Sequence, residues 1–297
     1  MFSASGPVDL PGYHAGLIGE ALSLAEPVRH LVYSPLFEAW EAPFGVTGSC
    51  GSHSLAVTPD RFVVSRDPHR EGQERSVRSI PFDRVLSIEL GHALVLGWLR
   101  IRFAENHVAL DETIFFASSG IRHFQAAVRA YRSRLAEPLP LAALDPARRE
   151  CGDEEPRWLS AEWSGLLLQG EMPLSFVRSS ESFATNAGRR GSRSACVSPW
   201  SVAVLTERSL LRVESQRPLH PGDLVFGVNT TLVDRSVIRG CRIEGEAAHD
   251  AMMRHLAVCA GLDDATLRLD IPFDERSLDS ARAVAASLAL HGAVASP

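Results

Sequence analysis

With 297 residues, 45% of them apolar and 22% charged, and a net charge of −6, the chain has the length and composition of a globular protein of about two domains. The charge is −2 on each of residues 1–137, 138–157 and 158–297, so no part has the basic surplus that binding to nucleic acid requires. All 30 basic residues are arginine, as in an arginine-biased bacterial genome, which excludes Walker-type ATPases, protein kinases and pyridoxal enzymes because these need a lysine amine.

The N-terminal residues, MFSASGPVDLPG, lack the basic and apolar regions of a signal peptide. The longest apolar stretch, Ala93–Leu99, is too short to span a bilayer. The five cysteines are scattered without a C-x-x-C pair, which favours incidental thiols in a reducing compartment over disulfides or a zinc site. We therefore expect a soluble cytoplasmic protein with no transmembrane segment, no metal and no other cofactor.

The first half of the chain is predicted to contain a helix, a strand, a β-hairpin, two further strands and a closing amphipathic helix. These elements are expected over Ala15–Leu24, Glu26–Tyr33, Ser54–Arg66, Ile80–Leu90, Leu99–Phe103 and Ile121–Leu135. Ser118 is the expected N-cap of the last helix. The polar stretch Arg66–Arg78 is expected to be an exposed, nearly neutral loop.

The second half is predicted to repeat the same order after a connector over residues 138–157, which is rich in proline and acidic residues. Ser201–Val213 matches Ser54–Arg66 without a gap at an offset of 147 residues. Leu278–Leu288 forms the closing helix, with Asp274 as its expected N-cap. Glu246–Ala260 is predicted to be an additional helix. The predicted domains are therefore 1–137 and 158–297.

An apolar lead-in, successive antiparallel strands and one closing amphipathic helix resemble the bacterial pleckstrin-homology-like (PH-like) and GRAM-like domains. The resemblance covers residues 15–135 and 158–291 and implies a mainly β or α+β fold, with two tandem, partly open β-barrels, each closed by a C-terminal helix. A pair of α+β domains of another type is the alternative. Members of this family serve as interaction modules, so the resemblance implies binding of protein segments, lipids or other anionic ligands.

A basic cluster in the second half is the first candidate site. Arg178 lies near the end of the first predicted strand, and Arg189, Arg190 and Arg193 follow in the predicted loop NAGRRGSRS. The resemblance implies that such residues converge on a phosphate group, which arginine binds through charge-assisted hydrogen bonds. The alternative is a flexible, solvated loop.

The corresponding loop of the first half, Pro35–Ser52, has no basic residue and instead carries Phe37, Trp40 and Phe44. Aromatic side chains anchor protein interfaces, so these three are candidate partner-binding residues. The alternative is that they pack onto their own domain.

Catalytic and metal-binding patterns are not recognised in the sequence. Cys50 lies in a loop before a strand, where nothing would activate its thiol. His249 and Asp250 resemble a metal-phosphohydrolase dipeptide without the other ligands, and His255 would lie on a different face of the predicted helix. The acids Asp263, Asp264, Asp270 and Asp274 lack the spacing of a calcium loop and are expected to cap helices or solvate a turn.

The sequence therefore predicts a non-enzymatic binding or scaffold protein that presents two PH-like modules to a protein partner. The alternative is recognition of an anionic small ligand or phospholipid headgroup by the second module. A cryptic hydrolase is the remaining, remote alternative. Self-association through open strand edges is compatible with this fold.

Overall fold

The computed structural model describes residues 1–22, 26–39, 48–68, 74–134, 157–188, 191–217, 227–248 and 251–292. The described chain is mainly β, with few helices and antiparallel strand pairs, which confirms the predicted coarse class. The described strands form open sheets, and none of these closes into a barrel. The chain folds into two compact units, Met1–Glu105 with Leu110–Ala136, and Asn106–Ala109 with Glu137–Pro297.

The first unit is organised around a run of strands in the hydrogen-bonded order β1-β2-β5-β6-β7. A second run follows in the order β10-β9-β8, and β3 and β4 form a separate pair. The elements are β1 (Phe2–Ser3), α1 (Tyr13–Ala21), β2 (His30–Ser34), β3 (Phe37–Ala39), β4 (Gly48–Cys50), β5 (Ser52–Val57), β6 (Arg61–Asp67), β7 (Ser76–Pro81), β8 (Val85–Ala93), β9 (Leu96–Glu105), β10 (Val108–Ala117) and α2 (Ile121–Arg132).

The two faces of the first run of strands are both covered, because side chains alternate along each strand. On one face, Ile18 of α1 packs with Leu31, Ala56 and Val63. On the other, Tyr131 of the predicted closing helix α2 stacks on Phe62, with ring centroids 5.1 Å apart. The helices therefore bury opposite faces of the same strands.

The second unit contains its strands in the orders β11-β14-β15-β16 and β17-β18-β19, with β12 and β13 as a separate pair. The elements are α3 (Arg157–Ser164), β11 (Pro173–Ser179), β12 (Ser182–Gly188), β13 (Gly191–Ser198), β14 (Ser201–Thr206), β15 (Ser209–Ser215), β16 (Gly227–Asp234), β17 (Ile238–Ala248), β18 (Ala251–Leu262), β19 (Ala265–Phe273) and α4 (Leu278–Gly292). The core packs Val177 and Leu205 with Val258 of the second run, and with Val284 and Leu288 of α4.

The hairpins β5–β6 and β14–β15 have the same local geometry, but their register corrects the sequence alignment by one residue. The Thr58 hydroxyl accepts from Arg61 N at 3.2 Å and donates to Arg61 O at 3.1 Å. The Thr206 hydroxyl makes the same two bonds with Ser209, both at 3.1 Å. The structural offset is therefore 148 residues, whereas the predicted offset of 147 would place each side chain on the wrong face.

Two sequence predictions about local structure were wrong. The described part of the predicted helix Glu246–Ala260 is strand, because β17 and β18 pair through residues 246–248 and 251–260. The predicted connector stays a prediction: α3 begins at its last residue, Arg157, and residues 138–156 lie outside the described residues. Ser118 does not cap α2, as its hydroxyl donates to Leu94 O and the N-cap position is Gly120.

Other local predictions were confirmed. Asp274 is an N-cap as predicted, although of the 3-10 turn Glu275–Ser277 that leads into α4 rather than of α4 itself, and its Oδ1 accepts from Ser277 N at 3.1 Å. The closing helices α2 and α4 are both present. No helix in the described ranges has the length and apolar character needed to cross a membrane.

Candidate functional site

A polar groove opens in the second unit at the end of β11, beside the start of α4. Its cavity is about 190 Å³ in volume. Its principal polar and aromatic lining residues are Arg178, Trp200, Ser201, Asp274, Arg276 and Ser277. It is the site to which the candidate residue Arg178 contributes, and we call it the Arg178 groove.

Arg178 is held in the groove by its backbone. Its N–H donates to Ser277 Oγ at 3.2 Å, and its carbonyl accepts from Asp274 N at 3.2 Å. These bonds join the end of β11 to the short 3-10 turn that precedes α4. The Arg178 guanidinium carbon lies 5.2 Å from the centre of the Phe176 ring, a distance at which a cation and an aromatic face attract each other.

The second cation of the groove, Arg276, lies in the same 3-10 turn, directly after the capping segment. Asp274 also lines the groove, but its carboxylate already accepts hydrogen bonds from Ser277 N and from Ser180 Oγ. The adjacent helix start adds the positive end of the α4 dipole. Two guanidinium groups thus oppose one carboxylate.

The wall of the groove holds a buried polar atom without a partner in the described part of the chain. Ser201 is 2% exposed, and its Oγ has no hydrogen-bond partner among the described residues. A buried hydroxyl without a partner is costly in free energy, by about 1–3 kcal/mol. This hydroxyl lines the same groove as Arg178 and Arg276.

A second cavity of about 410 Å³ adjoins the Arg178 groove and shares Ser179, Ser180 and Asp274 with it. Its additional charged residues are Glu181, Arg254 and Glu275. Arg254 pairs with Glu275 at 3.7 Å. Net positive charge is therefore found in the inner part of the groove only, because Arg254 in the adjoining cavity is outnumbered by Glu181 and Glu275.

The other predicted anion-binding arginines are not brought to this groove by any described contact. Arg189 and Arg190 lie outside the described residues. Arg193 lies on β13, opposite Asn186 of β12, so the described residues of the predicted loop belong to paired strands. The role of these three arginines stays a prediction.

The predicted aromatic surface also stays a prediction. Phe37 begins β3, but its side chain lies outside what the structure describes, as do Trp40 and Phe44 entirely. The predicted loop Pro35–Ser52 is corrected in part, since the backbone forms β3, β4 and the first residue of β5.

Residues considered for catalysis or metal binding are placed as follows. Cys50 ends β4 rather than lying in a loop, and His249 and Asp250 lie outside the described residues. His255 is on strand β18, not on a helix. Within the described ranges, no three His, Cys, Asp or Glu side chains are grouped to hold a metal ion.

Sequence reasoning missed Ser201, Trp200 and Arg276 as groove residues. Arg276 follows the predicted N-cap Asp274, so its place at a helix start was readable. Its proximity to Arg178 could not be predicted, because the two residues are 98 positions apart and are brought together by the hydrogen bonds between the end of β11 and the 3-10 turn before α4.

The position of Ser201 has a counterpart in the first unit. Ser201 is opposite Ser179 on the neighbouring strand, and His53 is opposite Ser34 in the same way. His53 is also 2% exposed, and among the described residues neither ring nitrogen makes a well-aligned hydrogen bond, although the Gly51 backbone acts on the ring as an acceptor. Burial lowers the pKa of His53 to about 4, with Arg66 and His14 adding repulsion and the Gly51 backbone opposing the shift.

This depressed pKa predicts acid sensitivity of the first unit. Between about pH 6.5 and pH 4 the unfolded chain binds a proton at His53 that the folded chain does not, so stability falls as the pH falls through this window. The expected loss is of the order of 3 kcal/mol. Unfolding measured across this range should be less pH-dependent in His53→Asn than in the unmodified protein; equal slopes would contradict the prediction.

No protein-family model matches this sequence, and no curated protein matches it. The side chains of the Arg178 groove are therefore the only basis in the described chain for a proposal about its ligand.

Proposed function

We propose that this chain is a non-enzymatic binding protein built from two PH-like modules, and that the second module binds an anionic group in the Arg178 groove. The order of the strands and helices supports the proposal that the chain consists of two PH-like modules. In each unit, one run of antiparallel strands is followed by a second run and then by a closing helix. That order is similar to the PH-like domains, whose members bind rather than catalyse.

The observation that carries the binding proposal is the convergence of Arg178, Arg276 and the unpartnered Ser201 hydroxyl on one groove. Guanidinium groups bind oxyanions through charge-assisted hydrogen bonds, which are about twice as strong as neutral ones. A serine hydroxyl is neutral and can donate a hydrogen bond to the same oxyanion. The three groups together form a donor set for one anionic group.

The charge balance limits the ligand to a single anionic group. The inner groove has two arginines and Asp274, and the adjoining cavity adds Arg254 together with the two acids Glu181 and Glu275. A headgroup with several phosphates would meet Glu181 and Glu275 and be repelled. Trp200 and Phe176 offer apolar surface beside the cations, which suits an aromatic or aliphatic body next to the anion. Phenyl phosphate has both features.

Titration calorimetry with phenyl phosphate on the full chain tests this proposal. Replacing Arg178 or Arg276 by Gln should weaken binding by about tenfold or more, because a charge-assisted hydrogen bond is lost. Arg282→Gln is the matched control: Arg282 lies on α4, is 65% exposed and pairs with Asp279 outside the groove. Binding should also weaken at high salt.

Two results would overturn the proposal. One is binding of phenyl phosphate with equal affinity by the control and by the Arg178→Gln, Arg276→Gln double variant. The other is saturable binding to vesicles containing a polyphosphoinositide with no binding of phenyl phosphate, since the charge balance excludes a headgroup of several phosphates.

A further inference from the structure

The first unit has its own polar cavity, larger than the Arg178 groove and on a different part of the fold. Its volume is about 590 Å³, within the range of clefts that hold small molecules. Strands β6 and β7 line one side through Arg66, Ser76 and Arg78, and β10 lines the other through Glu112 and Thr113. The stretch Arg66–Arg78 was predicted to be only an exposed loop, but both its terminal arginines lie on strands that face this cavity.

The charges of the cavity leave one cation without a counter-ion. Arg78 pairs with Glu112 at 3.4 Å, and Asp111 pairs with Arg102 at 3.2 Å. Arg66 has no ion pair among the described residues, although its charge influences both His53 and Glu112. The Arg66 guanidinium can therefore pair with a ligand, and a ligand group with one negative charge would neutralise it.

His53 supplies the second independent observation that points to a ligand. Its ring lies in the wall of this cavity, it is 2% exposed, and neither ring nitrogen makes a well-aligned hydrogen bond among the described residues, the Gly51 backbone being a poorly aligned acceptor. Because burial keeps this imidazole neutral, one nitrogen donates a hydrogen bond and the other accepts one. His53 and Arg66 are opposite each other on paired strands, so their side chains share a face and can address the same ligand.

We propose that this cavity is a binding site for a small organic carboxylic acid in its ionised form. Arg66 pairs with the carboxylate, the His53 N–H donates to the same group, and the Ser76 and Thr113 hydroxyls contact the polar body of the ligand. A single charge matches the single unpaired guanidinium. A phosphate dianion would leave one charge uncompensated beside Glu112 and Asp111.

Benzoate is the probe for this site, and its binding is measured in the Arg178→Gln, Arg276→Gln background so that the Arg178 groove cannot contribute. Binding is followed by calorimetry and by the imidazole signals of 15N-histidine-labelled protein. Benzoate should bind saturably and shift the His53 signals. Arg66→Gln should weaken binding by about tenfold or more. Arg122→Gln, an exposed arginine on α2 outside the cavity, is the matched control and should leave binding unchanged.

Three outcomes would overturn the proposal: no saturable binding of benzoate, binding that Arg66→Gln leaves intact, or Arg66-dependent binding of phenyl phosphate that is tighter than that of benzoate. Arg66 lies on an exposed part of β6, so its replacement is not expected to unfold the protein. Because the background already lacks the groove arginines, failure here is independent of failure of the proposed function of the second unit.

Discussion

Replacing Tyr131 by alanine should destabilise the first unit by about 3–5 kcal/mol, the usual cost of deleting a buried aromatic ring. The Tyr131 side chain is 1% exposed and lies in the last turns of the closing helix α2. It stacks on Phe62, meets Phe82 edge-on at 4.9 Å, and its ring lies 3.8 Å from the guanidinium carbon of Arg134. Alanine would leave a cavity at this position and remove the ring contacts by which α2 packs on the strands.

Scanning calorimetry of the full chain would show this loss as a fall of roughly 10 °C or more in the melting temperature of the first unit. Hydrogen exchange would assign the change to β5, β6 and α2. Tyr131→Phe is the matched control and should lose no more than about 1.5 kcal/mol, because the ring contacts remain. If Tyr131→Ala and Tyr131→Phe melted together, α2 would not be the closing element of this core.

Replacing His14 by leucine should cost about 2–4 kcal/mol, although leucine fits the volume and the site is buried. The His14 ring is 3% exposed and lies within hydrogen-bond distance of Ser65 Oγ at 2.7 Å and Ser52 Oγ at 2.9 Å. Ser54 Oγ lies 3.2 Å from the same nitrogen as Ser65. These contacts fix α1 on the strands, and leucine would leave buried hydroxyls without the imidazole.

Hydrogen exchange should show the loss of protection first in α1 and only then in the strands beneath it. The quadruple variant His14→Leu, Ser52→Ala, Ser54→Ala, Ser65→Ala should recover most of the stability, because it also removes Ser54, which bonds both His14 and Ser65, and removal of both partners of a buried hydrogen bond is nearly neutral. If the quadruple variant were no more stable than His14→Leu, the cost would come from shape rather than from unsatisfied hydroxyls.

Local patterns of apolar and polar residues in the sequence predicted much of the fold. The hairpin segments Ser54–Arg66 and Ser201–Val213 are strands, because both alternate around a polar turn. The pairing of β17 with β18 was missed because small residues and histidines around Ala247–Ala257 fit helix and strand periodicity equally well. The long-range pairing of β18 with β17 and β19 decides between them.

The one-residue error in aligning the two hairpins changed the prediction of the site more than the prediction of the fold. At an offset of 147, Ser201 matches Ser54, which lies beside His14 under α1. At the structural offset of 148 it matches His53, which faces a cavity. Residue type favours the wrong offset of 147, because it aligns Ser201 with another serine, Ser54, rather than with His53. A shift of one residue also exchanges the two faces of a strand, so the error moves Ser201 away from the cavity-facing side.

The sequence predicted a candidate site residue only where the residue type and its place on a strand were enough to indicate the role. Arg178 stood out as a cation at a strand end, whereas Arg276, His53 and Arg66 acquire their roles from partners distant in sequence. An arginine without a counter-ion or a histidine without a hydrogen bond is defined by its surroundings. No pattern within the sequence records that property.

The most direct test of anion binding by the second unit is an NMR titration of 15N-arginine-labelled protein with phenyl phosphate. The Nε–H signals of Arg178 and Arg276 should shift together with one saturation curve, since both donate to the same group, while the Arg282 signal stays in place. If neither groove arginine shifts in the folded protein, or if Arg282 shifts as much as they do, the Arg178 groove is not an anion-binding site.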